Sequence, residues 1–179
     1  MLLEPDALPR IPQKWYGAVG LHTSRAVHVT DYHRHSWLFP ELDIPKGGEK
    51  MNLTTHLAIN QSLCGQLVSI EEGAAVVKLD TTPEMVADDH QLVHGGFIFG
   101  AADFAAMAAV NDPNVVLGSA EVRFLKPSKC GDAVILEARV TEVGGKRRRV
   151  DVEGADEAGT KVFSGVFTCF VLEKHVLEK

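Results

Sequence analysis

His94-Gly95-Gly96-Phe97-Ile98-Phe99-Gly100-Ala101-Ala102-Asp103-Phe104-Ala105-Ala106-Met107-Ala108-Ala109-Val110-Asn111 is the stretch that decides how this chain is read. It predicts a helix that is apolar almost all the way round, and so one that is buried rather than amphipathic. A single carboxylate, Asp103, stands inside the apolar run. At about 3.6 residues per turn, Gly96, Gly100, Asp103, Met107 and Val110 fall on one face, where two glycines let another backbone or a ligand come close. Gly95-Gly96 sits where the helix begins. Unpaired amides and the positive end of the helix dipole can polarise a carbonyl oxygen there. Oxyanion donors with a carboxylate about two helical turns away are the parts that hydrolysis needs.

Upstream, Pro83 to Val93 reads as an irregular link rich in Asp and His. Before it, Leu63–Ile70 and Ala74–Thr81 predict a strand pair turning at Glu71-Glu72-Gly73. Thr54-Thr55-His56-Leu57-Ala58-Ile59-Asn60 predicts a short helix with Thr54 or Thr55 as its N-cap. Downstream, Pro113 disfavours helix at the residue before it, so the central helix should stop near Asn111-Asp112. Four β-rich segments follow: Val115–Phe124, Ala133–Val143, Arg147–Gly154 and Lys161–Leu172. The last has apolar residues on both faces and reads as a central strand. Short connections between these segments predict an antiparallel meander. One long helix against one antiparallel sheet is an α+β fold.

The chain has 179 residues, 45% apolar and 23% charged, enough for one domain or a domain with an arm. Its net charge of −6 argues against a nucleic-acid binder. No run approaches the length of a membrane span, and the start lacks the basic and apolar regions of a secretory signal. Cys64, Cys130 and Cys169 are widely spaced and odd in number, which suits buried thiols in a reducing cytoplasm better than a disulfide framework.

Residues 1–50 differ in character from 51–179. They hold both tryptophans (Trp15, Trp37), both tyrosines (Tyr16, Tyr32), five of eight prolines and four of eight histidines, with no sustained hydrophobic period. Two readings stand. The segment is an arm anchored by Trp15, Trp37 and Phe39, or Met51 is the natural start, since Gly47-Gly48-Glu49-Lys50 can be encoded by a purine-rich stretch of the kind that recruits bacterial ribosomes. N-terminal analysis of protein from the native cell separates them.

His94-Gly95-Gly96, six further residues and then Asp103 with an alanine-rich tail resembles the signature of hot-dog fold thioesterases of the phenylacetate-pathway (PaaI-like) type. Thr82-Pro83-Glu84-Met85, His90-Gln91 and Arg123-Phe124-Leu125-Lys126-Pro127 with Gly131-Asp132 also resemble that family, and the likeness covers about residues 52–173. The resemblance implies a sheet wrapped around the long helix, and a homodimer or dimer of dimers with sites between subunits. It further implies that a Gly95 or Gly96 amide holds the thioester carbonyl, that Asp103 reaches in from the partner as general base or nucleophile, and that His94 orients the loop or lines the pocket. The Asn that the family commonly carries a few residues before its His-Gly-Gly is missing. Asp88-Asp89 stands in a link one residue longer, either to hold water or to face solvent.

The implied substrate is an acyl-CoA, or an acyl carrier protein thioester, with coenzyme A as part of the substrate and no separate cofactor. Arg147 and Arg148, within Lys146-Arg147-Arg148-Arg149, are natural receptors for its phosphates, as are Arg123 and Lys126, unless these are solvated strand ends. Asn60 either touches substrate or caps the short helix. Phe97 and Phe99 are core residues that can also touch an acyl group. Asp88, Asp89 and His90 have the chemistry of metal ligands without the spacing, so no metal is expected. Two rivals remain. Hot-dog domains serve as acyl-CoA sensors in lipid-synthesis regulators, which Glu137–Thr141 and Val162–Gly165 resemble, although no DNA-binding helix pair is evident in residues 1–50. A hydratase on the same fold would need a paired Asp/Glu and His motif, which Asp112-Pro113-Asn114 does not supply.

Overall fold

A computed structural model describes residues 51–178; the segment 1–50, with Trp15, Trp37 and Phe39 and both readings of it, lies outside the described residues. The chain forms a short helix α1 (Gln61–Cys64), strands β1 (Gln66–Glu71) and β2 (Ala74–Asp80), a long helix α2 (Gly95–Val110), and strands β3 (Val115–Phe124), β4 (Ala133–Gly144), β5 (Arg147–Asp156) and β6 (Lys161–Val171). A single 3₁₀ turn, Pro83–Met85, interrupts the link ahead of α2.

The two ends of α2 form for local reasons. At its start His94, in extended conformation, caps the helix with its ring. At its end Asn111 adopts a left-handed conformation (φ 49°) and its amide donates to the Met107 carbonyl, a common way to stop a helix. Ile98, Ala101, Ala102 and every residue from Phe104 to Ala109 are buried. Alanines along the helix let the sheet approach its backbone, while Phe104 and Met107 join Phe163, Phe167, Leu79 and Leu136 in the core. The Phe99 ring stacks on Phe167 with centroids 5.8 Å apart.

The six strands form one antiparallel sheet in the order β1-β2-β4-β5-β6-β3. The hot-dog expectation of a sheet wrapped on one long helix holds, and β6 is internal, between β5 and β3. The meander does not extend as expected: it covers only β4 to β6. β3 pairs with β6, Val115 opposite Val171 through Phe124 opposite Phe163. The short link after β3 carries the chain across the ends of the intervening strands because it is held at both sides. Leu125 donates to the Val162 carbonyl, while Thr81 at the end of β2 binds Lys129 and Asp132 by side chain and backbone.

Two local expectations are corrected. The short helix does not run from Thr54 to Asn60. His56 takes a positive φ of 52°, which breaks a helix there, and α1 starts only after Asn60, whose side chain caps it by accepting from the Ser62 amide. Thr54 instead clamps the far end of α2: its amide donates to Asn111 Oδ1 (2.8 Å) and its hydroxyl to the Asn111 carbonyl (2.8 Å). Leu63 and Cys64, expected to open the first strand, belong to α1. No helix among the described residues is long and apolar enough to cross a membrane.

Candidate active site

The start of α2 is built by two rings around two glycines. His94 is tethered through its amide to the Met85 carbonyl (2.8 Å). Its Nδ1 accepts from the Gly96 amide at 3.0 Å, so in the neutral ring the proton sits on Nε2. A Cβ on Gly96 would lie 2.7 Å from that Nδ1, and a Cβ on Gly95 would lie 2.9 Å from Cε1 of Phe124. Both positions are therefore glycine because an aromatic ring approaches the backbone closely. The Gly96 N–H is occupied by the cap. The Gly95 N–H has no hydrogen-bond partner among the described residues.

This arrangement can be tested without any substrate. Gly96→Ala should drive the imidazole off the helix end and destabilise the fold by about 1 kcal/mol, the usual worth of a helix N-cap. Urea unfolding of the variant beside His94→Ala checks it. If the cap is real, the two losses should not add, because both remove one interaction.

The helix start opens into a cleft of about 550 Å³ lined by Leu92, His94, Gly95, Phe124, Lys126 and Ser128, among others. Its walls are mainly apolar side chains with one amine, a suitable composition for a small-molecule site. Ser128 is buried, and its hydroxyl has no partner among the described residues.

Asp103 lies eight residues along α2 from Gly95, which is about 12 Å at 1.5 Å per residue. Its Oδ1 is buried without a hydrogen-bond partner among the described residues. Burial raises its pKa from 3.8 to about 6, because the low-dielectric surroundings disfavour the charged form. Cys64 and Cys169 sit close enough to feel that charge. Both thiols are pushed up, first by burial and then by Asp103, and Cys169 reaches about 12. Cys64 also borders Gly100, its Sγ 4.0 Å from where a Cβ would stand. Within one chain, then, the carboxylate and the open amide occupy the same helix but are too far apart to share a bound carbonyl and its attacking water.

The other expected site residues divide. His94, Gly95, Gly96 and Lys126 line the cleft together. Phe97 packs edge-on against the His94 ring (centroids 6.3 Å), and Phe99 is committed to Phe167. Asn60 uses its side-chain oxygen on the Ser62 amide and hydroxyl, as a cap. Asp88 builds the preceding loop: Oδ1 accepts from the His90 and Leu92 amides, and the His90 side chain is exposed. Arg123 does not line this cleft. It borders a separate depression on the sheet with Glu121, Asp151 and Glu153.

The basic run is farther still. Arg147 stands opposite Phe170 on β6 whereas Phe124 stands opposite Phe163, a separation of seven strand residues or about 23 Å. It is also largely neutralised in place. Lys146 pairs with Glu173, Arg147 with Glu142 and Arg149 with Asp151, while Arg148 donates to the carbonyls of Gly145 and Arg147. No group of three or more metal-ligating side chains occurs among the described residues. In the sequence Phe124 stands out only as part of a turn motif, and Ser128 not at all. An aromatic at the end of an edge strand was the available signal.

Known proteins now bear on the geometry. The sequence model of the thioesterase superfamily matches residues 90–163. The chain is 54% identical over 124 residues to methylthioribose-1-phosphate isomerase of Aquifex aeolicus, covering 69% of this chain but only 27% of that protein. It is 28% identical to the transcription factor FapR of Bacillus velezensis over 73% of this chain and 74% of that one. With the acyl-coenzyme A thioesterase PaaI of Escherichia coli it shares 34% identity over 49% of this chain and 63% of that one. Among solved structures, an uncharacterized protein from Pyrococcus horikoshii is 48% identical, with 73% of this chain and all of that one aligned at a TM-score of 0.71. The E. coli PaaI structure aligns at 0.57 with 28% identity, over 62% and 85%. A Streptococcus mutans protein bound to acetyl CoA aligns at 0.57 with 25% identity, over 62% and 90%. The chain belongs to the thioesterase superfamily, as a PaaI-like protein of the hot-dog fold.

Proposed function

We propose that this protein hydrolyses the thioester of an acyl- or aryl-acyl-CoA to the free acid and coenzyme A. The observation that carries the reading is Asp103, a carboxylate with one oxygen buried and without a partner among the described residues, its pKa lifted to about 6. Burying such a group costs stability unless something else is gained from it, and a base with a pKa near the working pH is the gain hydrolysis offers. Gly95 supplies the oxyanion donor, the Gly96 amide being engaged by His94. One such donor is worth about 3 kcal/mol to the transition state. Because Gly95 and Asp103 of one chain are about 12 Å apart along the helix, the active unit is a homodimer in which Asp103 of the partner subunit faces this Gly95. Two such dimers can associate further. Strand β3, ten residues long at the sheet edge, offers the unpaired backbone for the first contact.

Asp103 acts as general base on water or as the nucleophile. Coenzyme A enters as part of the substrate, Lys126 at the cleft is placed for its anionic end, and no separate cofactor takes part. The cytoplasm, where acyl-CoA is made and used, is the proposed compartment. Thiol release from a panel of acyl-CoAs tests the reading. kcat/KM should fall about tenfold per pH unit below pH 6 and level off above it, because only the ionised carboxylate accepts a proton or attacks. A profile flat from pH 4.5 to 8 would exclude Asp103 from either role. A second reading, an acyl-CoA sensor without turnover, is favoured by the match to FapR along three quarters of that protein. Tight binding of acyl-CoA with no thiol released would establish it.

A further inference from the structure

The cleft holds a feature that the proposed chemistry does not use. Phe124 ends β3 with its side chain 54% exposed, the largest aromatic exposure among the described residues. It is not loose: its ring packs edge-on against Phe163 at 5.6 Å, and its Cε1, Cζ and Cδ1 crowd Gly95. Phe163 is itself fully buried, so the exposed ring stands on a fixed footing. Leaving this much aromatic surface in water forgoes burial worth about 25 cal/mol per Å², and it borders the one amide of the helix start that has no partner among the described residues.

We propose that Phe124 is a specificity-determining residue, and that it selects acyl groups unbranched at the carbon next to the thioester carbonyl. This rests on the thioesterase reading of the same site. A carbonyl oxygen accepting from the Gly95 amide lies about 2.9 Å from that nitrogen. The carbonyl carbon and its substituents then come within van der Waals reach of a ring whose Cε1 stands 2.9 Å from where a Cβ on Gly95 would be. His94 stands against Gly96 on the neighbouring side, so the acyl group admitted here is a flat thioester with an unsubstituted first methylene. An added methyl on that methylene meets the Phe124 ring. Selection is thus made at the atoms nearest the reaction, and the far end of the acyl chain is left to the open part of the cleft.

The test compares Phe124→Ala and Phe124→Leu with the parent on butanoyl-CoA and 2-methylpropanoyl-CoA, two substrates of equal carbon number. The Phe124→Ala ratio of kcat/KM, branched over straight, should rise about tenfold, the size of effect one methyl has in an apolar pocket. Leucine should give an intermediate ratio. Binding of the two corresponding ketone analogues, in which methylene replaces the thioester sulfur, is measured alongside by calorimetry. If the parent releases no thiol, the hydrolase reading fails, and the analogue affinities still decide the role of Phe124 by the same ratio. An unchanged ratio in a folded variant, or an equal loss on both substrates, overturns the proposal. Folding is checked by circular dichroism and dimer formation by size-exclusion chromatography, so that a lost contact at the end of β3 is told apart from a changed ratio.

Discussion

Asp103→Asn is expected to lower kcat/KM for thioester hydrolysis by about 10²–10⁴, the usual contribution of a positioned general base, with little change in KM. Asparagine keeps the shape and removes only the charge and basicity. Its effect on stability should run the other way. The folded pKa of Asp103 is about 6 against an ordinary 3.8, so the folded protein holds this proton more tightly than the unfolded chain. The contribution of Asp103 to stability is therefore most favourable below pH 4, and is lost as pH rises to 6 and beyond. The Asp103→Asn protein should melt at a higher temperature than the parent at pH 8, and the difference should shrink toward pH 4. Loss of turnover together with a raised melting point separates a catalytic carboxylate from a structural one. A variant that is both inactive and less stable would place Asp103 in the scaffold instead.

Gly95→Pro deletes the proposed oxyanion donor with the least disturbance to the helix. Gly95 is the first helical residue, where proline is favoured because the N–H it lacks has no intrahelical partner. The preceding residue, His94, already has the extended conformation that proline demands of its neighbour (φ −65°, ψ 124°). Because any Cβ at position 95 displaces the Phe124 ring, Gly95→Ala, which does so while keeping the N–H, is the reference against which the proline variant is read. The expected loss is about 10²–10³ in kcat. Mixing this variant with Asp103→Asn then tests where the two groups meet. Dissociated and reassociated in equal amounts, half the dimers are hybrids and each hybrid has one site with both groups intact. About a quarter of the parental activity should return. No recovery, with hybrids shown to form, would mean that the two groups of one chain serve the same site.

The boundaries of α2 were legible because both its ends carry local signals: His94-Gly95-Gly96 at the start and Asn111 with Pro113 at the stop. The β3 to β6 segments were legible from the same kind of punctuation. Their pairing was not. A short link normally joins neighbours, and only the bonds from Thr81 and Leu125 to the link and to β6 explain the crossing. Thr54 was misread for the same reason, since its partner Asn111 is 57 residues away. At the site, the identity of the motif residues was legible and their division of labour was not. That His94 takes the Gly96 amide depends on a ring orientation, and that Arg147 and Arg149 face Glu142 and Asp151 depends on strand register.

The place of β3 at the sheet edge also bears on how the protein is made. On the ribosome, Val115–Phe124 emerges well before β6, its only partner strand among the described residues. Until Lys161–Val171 follows, that strand has nothing to pair with and α2 lacks part of its cover. Contacts so distant in sequence close late, and they slow folding relative to local hairpins. Synthesis of this chain therefore passes through a stage in which an apolar helix and an open strand edge are exposed together, the state most prone to aggregate. Truncation between Phe124 and Lys161, which keeps β3 and removes β6, would make that stage permanent.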